Sequence, residues 1–217
     1  MPKLRRAFQL LSHTDRRQPT SAKENAVTDS TQVTPGGPYV FLAGLPGSGK
    51  GELVTVASRL GYRIVSMRDI VYAEATRKGI PHDESAQLMS LEERKLHGYG
   101  VWAERTLPTL TDAPTVIDGI RGITEFDVFR RALGDRLVVI AITAPFELRF
   151  ERIRRRGRAD DFSVPDDLRR RDRRELGFGV AEMIKVANYT IANEDALADF
   201  LTEGERVLHK LLKRRGA

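Results

Sequence analysis

Cysteine is missing altogether, and tryptophan occurs once in 217 residues. Without cysteine the chain can build no disulfide framework, no thiolate zinc site and no cysteine nucleophile. Long apolar runs are missing too: none approaches the roughly 20 residues that a membrane-spanning helix needs. The opening segment MPKLRRAFQLLSHTDRRQ has basic residues and a short apolar patch, but no extended apolar stretch and no small-residue cleavage site, so a secretory signal is not expected. These absences predict a soluble cytoplasmic protein that works without a membrane. The four histidines, His13, His82, His97 and His209, are scattered without metal-ligand spacing and read as structural or surface residues.

Hydrophobic residues make up 41% of the chain and charged residues 30%, and the length suits one domain with a sizeable core. The net charge of +6 is local rather than a general coat. Residues 1–37 hold six basic and three acidic side chains, residues 149–174 eleven arginines against six acids, and residues 205–217 five basic against one acidic, while the remainder is net acidic. A positive field concentrated within a folded domain points to a polyanionic ligand, either nucleotide phosphate or nucleic acid.

Residues 1–37 are rich in Ser, Thr, Gln, Asn and Pro and end in TPGGP, which predicts a disordered tail ahead of a domain at 38–217. Within that domain, apolar runs at 39–43, 63–67, 115–119, 136–143 and 188–193 read as strands. Helical spacing covers 52–60, 69–79, two pieces of 84–110 around Gly98 and Gly100, 125–133, Pro145 to about 156, 166–176, 179–187 and 194–214. The alternation predicts an α/β fold, a parallel sheet with helices on both faces. Trp102 is assigned to the core.

The central motif is Gly44-Leu45-Pro46-Gly47-Ser48-Gly49-Lys50, between an expected strand and an expected helix. It matches the first seven positions of the Walker A loop of P-loop NTPases. Glycines let backbone N–H groups turn inward around a phosphate, the helix N-terminus adds partial positive charge, and Lys50 reaches the β- and γ-phosphates. Gly51 stands where Ser or Thr commonly binds Mg²⁺, and Glu52 follows it. Residues 44–52 are thus the expected ATP-binding segment.

Three further groups support a phosphoryl-transfer site. TVIDGIRG places Asp118 at a strand end, where it can hold Mg²⁺, and Arg121 three residues on, where it can clamp an acceptor phosphate. RFERIRRRGRADD sets Arg149, Arg152 and Arg156 on one helix face, and RRRDRREL offers Arg170, Arg171 and Arg174. Guanidinium groups suit the charge that spreads over a transferring phosphoryl group, and an arm carrying them excludes water. The competing reading for about half of these arginines is a solvated helix pair with local ion pairs. Arg68, Asp69 and Arg77 are candidate contacts for a second nucleotide, and surface positions explain them equally well.

With those residues in hand, the chain resembles the adenylate-kinase-related P-loop proteins of archaea, a family likened to dephospho-CoA kinase. The likeness covers roughly residues 39–212 and rests on GLPGSGKGE, VIDGIRG with Glu125-Phe126, RFERIRRRGRADD, the segment 171–179 and YTIANE. It implies a nucleoside-monophosphate-kinase-like fold: a five-stranded parallel sheet, a helical acceptor-side insertion at about 67–112 and a short lid at about 155–172. It implies ATP with Mg²⁺ as cofactors and small-molecule nucleotides as partners. By this analogy Arg158 bridges the phosphates, with Asp160 and Asp161 at the lid hinge. Adenylate kinases usually carry Gly-Asp after the second strand and an Arg three residues beyond. Here Arg68 replaces the Gly and Tyr72 the Arg, and DGIRG replaces DGFPR.

The leading expectation is a kinase that moves the γ-phosphoryl group of ATP to a small phosphorylated acceptor, AMP or a similar monophosphate, or dephospho-CoA. Lys50, Arg121, Arg152, Arg158, Arg171 and Arg174 form its catalytic set. The alternative is a nucleotide-binding NTPase or regulator without efficient transfer, motivated by Glu52 and Tyr72. Nucleic-acid binding ranks below both, because no aromatic platform accompanies the arginines.

Overall fold

A computed structural model describes residues 37–120, 122–157 and 164–213. Of the tail expected over 1–37 all but Gly37, together with Arg121 and the lid residues Arg158, Asp160 and Asp161, lies outside these residues. Gly37, assigned to the tail by composition, donates its N–H to Asp112 O at 2.7 Å and so belongs to the folded backbone.

Strand β1 (Tyr39–Ala43) lies at the centre of a five-stranded sheet of order β2-β3-β1-β4-β5. The others are β2 (Arg63–Ser66), β3 (Thr115–Asp118), β4 (Leu137–Thr143) and β5 (Tyr189–Ala192). Every pairing is parallel, with Tyr39 opposite Thr115 on one side and Leu137 on the other. A parallel sheet is covered on both faces, which is why YVFLA and LVVIAI are continuously apolar rather than alternating.

Alternate residues of these strands enter two separate cores. Tyr39, Phe41, Ile117 and Val139 meet α2 (Met67–Arg77), α3 (Glu84–His97), α4 (Val101–Thr106), α5 (Ile123–Leu133) and α8 (Val180–Lys185). Val40, Leu42, Val116, Ile140 and Ile142 meet α1 (Lys50–Arg59) and α9 (Leu197–Lys213). Trp102 is buried in the first core, donates its ring N–H to Ser90 O at 3.2 Å, and carries the Arg105 guanidinium over its ring. The remaining helices are α6 (Phe146–Arg156) and α7 (Pro165–Gly177).

Strand and helix positions follow the sequence to within a few residues at their ends. Helix α1 begins at Lys50, earlier than its apolar spacing indicates, because its first turn is the phosphate loop itself. Pro145 caps α6 in extended conformation instead of entering its first turn, and α9 starts at Leu197 rather than 194. Because all strands run one way, Ala43, Ser66, Asp118, Thr143 and Ala192 end at one edge of the sheet. The chain passes from β1 to opposite sides of the sheet there, the place where open α/β sheets hold ligands. Among the described residues no helix is long and apolar enough to cross a membrane.

Candidate functional site

The loop from Gly44 to Lys50 leaves the central strand at that edge. Gly47 and Gly49 have φ of 78° and 114°, which side chains rarely adopt. Space excludes a side chain as well: a Cβ on Gly47 would stand 2.7 Å from Arg149 O, and one on Gly49 would strike Asn193 Nδ2. Gly51 has nothing within 4 Å of such an atom, so packing does not require glycine there. The Ser48 N–H donates to Leu45 O at 3.1 Å and closes the turn. Ser48 Oγ is buried without a hydrogen-bond partner, an orphaned polar atom at the base of the loop. The first N–H groups of α1 follow directly, and helix starts of this kind bind phosphate.

Lys50 folds over the loop, donating to Gly44 O at 2.5 Å and to Leu45 O at 3.2 Å. Burial lowers its pKa to about 8; the carboxylates of Glu175 and Asp118 oppose that shift, and the Arg149 and Arg171 guanidiniums add to it. A lysine at the mouth of a glycine loop is therefore surrounded by charges from three different elements.

Arg149 is not available to a ligand. It is buried, makes a two-pronged ion pair with Asp172 of α7 (2.9 and 2.6 Å), and donates to Pro46 O at 3.0 Å and Ala144 O at 3.2 Å. It ties α6 and α7 to the phosphate loop. Arg152, one turn on, donates to Asn193 Oδ1 at 3.0 Å, and Asn193 Nδ2 donates to Ser48 O at 2.8 Å. The other terminal nitrogen of Arg152, Nη1, is buried and has no partner. Arg171 donates through Nε to Glu175 at 2.6 Å.

Of the residues singled out by sequence, Lys50, Asp118, Arg152 and Arg171 are gathered around the loop. Arg174 and Glu52 are exposed. Arg121 and Arg158 are not among the described residues. Arg169 and Arg170 pair with Asp166 and Asp167, so part of the arginine-rich helix neutralises itself, as the solvated-helix reading expects. Sequence reasoning missed Asn193, Asp172 and Glu175. The signals were present: an acid inside an arginine run, and an asparagine directly after the last strand.

Asp118 ends β3, and among the described residues no group of three or more His, Asp or Glu can hold a metal. That fits Mg²⁺ held jointly by one carboxylate and nucleotide phosphates rather than by a protein cage.

Fold and site together define a P-loop protein with a kinase-like fold. The chain belongs to the AAA domain family, which matches residues 43–169, and to the UPF0200 proteins. It is 36% identical to the UPF0200 protein of Methanosarcina barkeri over 81% of this chain and 96% of that one. It is 38% identical to the UPF0200 protein of Pyrococcus horikoshii over 80% of this chain and 97% of the relative. Both relatives are archaeal, in line with the resemblance carried by the motifs. Among solved structures, TT1252 of Thermus thermophilus aligns with a TM-score of 0.58 at 18% identity, covering 81% of this chain and 98% of that one. Shikimate kinase of Acinetobacter baumannii aligns with a TM-score of 0.51 at 20% identity, covering 83% and 96%. At such identities the likeness establishes the fold alone.

Proposed function

We propose that the protein is an ATP-dependent phosphotransferase acting on a small phosphorylated acceptor, a nucleoside monophosphate such as AMP, or dephospho-CoA. The observation that carries this reading is the placement of Lys50 in a glycine loop at the carboxyl edge of the sheet, with Asp118, Arg152 and Arg171 around it. Lys50 and the amides of residues 47–51 bind the donor phosphates. An acceptor oxygen attacks the γ-phosphorus, the bond to the β,γ-bridging oxygen breaks, and ADP leaves with that electron pair. Arg152 and Arg171 neutralise charge on the transferring group. On the sequence argument Arg121 binds the acceptor phosphate, and Arg158 and Arg174 belong with Arg152 and Arg171 to the set that neutralises the transferring group. Asp118 is the residue that would hold Mg²⁺, whose chemistry is to neutralise phosphate oxygens.

Replacing Lys50 by Ala tests the reading. The variant should lose ATP binding and turnover against a panel of monophosphates and dephospho-CoA, and undiminished turnover would refute the proposal.

A second reading, an NTPase or nucleotide-responsive regulator, has its own support. Tyr72 occupies the position of an adenylate-kinase acceptor arginine, and its ring is stacked on His82 at 4.4 Å, whose Nε2 is 2.8 Å from Thr76 Oγ1. ATP hydrolysis without transfer to any acceptor would favour this reading.

A further inference from the structure

Helix α3 carries apolar residues on two faces, where a helix bordering one core needs one. Ala86, Met89 and Glu93 are buried on the inner face, where Ser90 O accepts the Trp102 ring N–H at 3.2 Å. On the other face Leu88 and Leu91 are 56% and 49% exposed, and Leu96 and Tyr99, at its C-terminal end, are 76% and 62% exposed. Single exposed leucines are ordinary on a protein surface, but a group of them on one helix marks an interaction site.

The outer stripe reads Glu84, Leu88, Leu91, Lys95. Its steps of four, three and four residues keep these side chains in one line, the spacing of a coiled-coil seam. The stripe is also its own complement. Turned end to end about the bond between Met89 and Ser90, it sets Leu88 opposite Leu91 and Glu84 opposite Lys95. A parallel pairing would instead oppose like charges at both ends. Among the described residues Glu84 and Lys95 have no ion-pair partner, and both are exposed. Neighbouring charges on α3 are spent within the protomer, Glu93 on Lys78 and Arg105, and Arg94 on Glu125 at 2.8 Å. Those pairs hold the helix in place, so the stripe is presented on a fixed support.

We propose that this stripe is a homodimer contact, in which α3 packs antiparallel against the same helix of a second copy across a two-fold axis. Leu88 meets the partner's Leu91, Glu84 meets the partner's Lys95, and the symmetry makes each pair twice. Only one helix from each protomer lies in the contact, so the dimer is small in area and reversible.

Sedimentation equilibrium of the full chain from about 1 to 300 µM at low ionic strength tests this. The wild type should show a reversible monomer–dimer equilibrium. Leu91→Asp should raise its dissociation constant more than about tenfold. Glu84→Lys or Lys95→Glu alone should raise it roughly three- to tenfold, and the two together should restore it, because the opposed signs are regained on exchange. These charges are on the surface, so that cycle stands should the leucine variant not fold. A wild type monomeric throughout the range overturns the proposal. So does a dimer indifferent to Leu91→Asp, which another surface must hold, or a double reversal as weak as either single one, which excludes the antiparallel register. The phosphotransfer reading does not depend on the outcome.

Discussion

Lys50 sets the acid–base behaviour of the site. Burial lowers its pKa from 10.5 to about 8, against the pull of Glu175 and Asp118 and with the push of Arg149 and Arg171. The ammonium form is the one that binds phosphate, so kcat/KM for ATP should fall as pH rises through about 8. A pH series of initial rates on the wild-type chain would check it. For stability the sign is opposite. The unfolded lysine keeps its proton up to 10.5, so between about 8 and 10.5 unfolding takes up a proton and this group's contribution to stability rises with pH. Asn193 is the second residue whose role is local and measurable. It joins Ser48 O to Arg152 from a position almost wholly buried. Asn193→Ala leaves both partners short of a hydrogen bond and should cost about 1–3 kcal/mol, read by urea denaturation, with weakened ATP binding.

Helices α6 and α7 are useful only as a pair. The Arg149–Asp172 bridge is buried at both ends, Arg149 also grips the loop at Pro46, and the Phe146 ring lies under the Arg149 and Arg169 guanidiniums at 5.6 and 4.7 Å. At the far end of α7, Phe178 O accepts the Ile123 N–H at 2.9 Å, which fixes the start of α5. Asp172→Asn strands a buried guanidinium and should destabilise by about 3–5 kcal/mol, whereas replacing both partners with apolar residues should cost much less. A double-mutant cycle followed by chemical denaturation would separate the two outcomes.

The whole molecule depends on two cores divided by one sheet. Among the described residues the first is filled from five helices and the second from α1 and α9. Leu208 is fully buried in that second core, beside Val207, Leu211 and Phe200. Leu208→Ala should therefore cost about 2–5 kcal/mol, since so few elements can collapse into the gap. At about 2–4 °C per kcal/mol for a chain of this size, thermal unfolding would show the loss clearly. The α1–α9 contact is tight enough that a Cβ on Gly204 would stand 2.5 Å from Leu53 Cδ1. Core damage on this face is thus transmitted to the helix that begins with Lys50.

By itself the sequence determined the strand and helix positions, the parallel α/β class and the identity of the phosphate loop. These rest on local physics: apolar runs, helical spacing and glycines where a turn needs them, all readable within a dozen residues. Tertiary structure decided the rest. Asn193 meets Ser48 across 145 residues, and Asp172 meets Arg149 across 23, because parallel strands deliver their ends to one edge. Among many similar arginines and acids, spacing along the chain could not say that Arg149 would be spent inside the fold on Asp172 and Pro46 O, or that Arg152 would meet Asn193. Those assignments depend on which side of α6 and α7 packs against the loop, and that is fixed only when the sheet assembles.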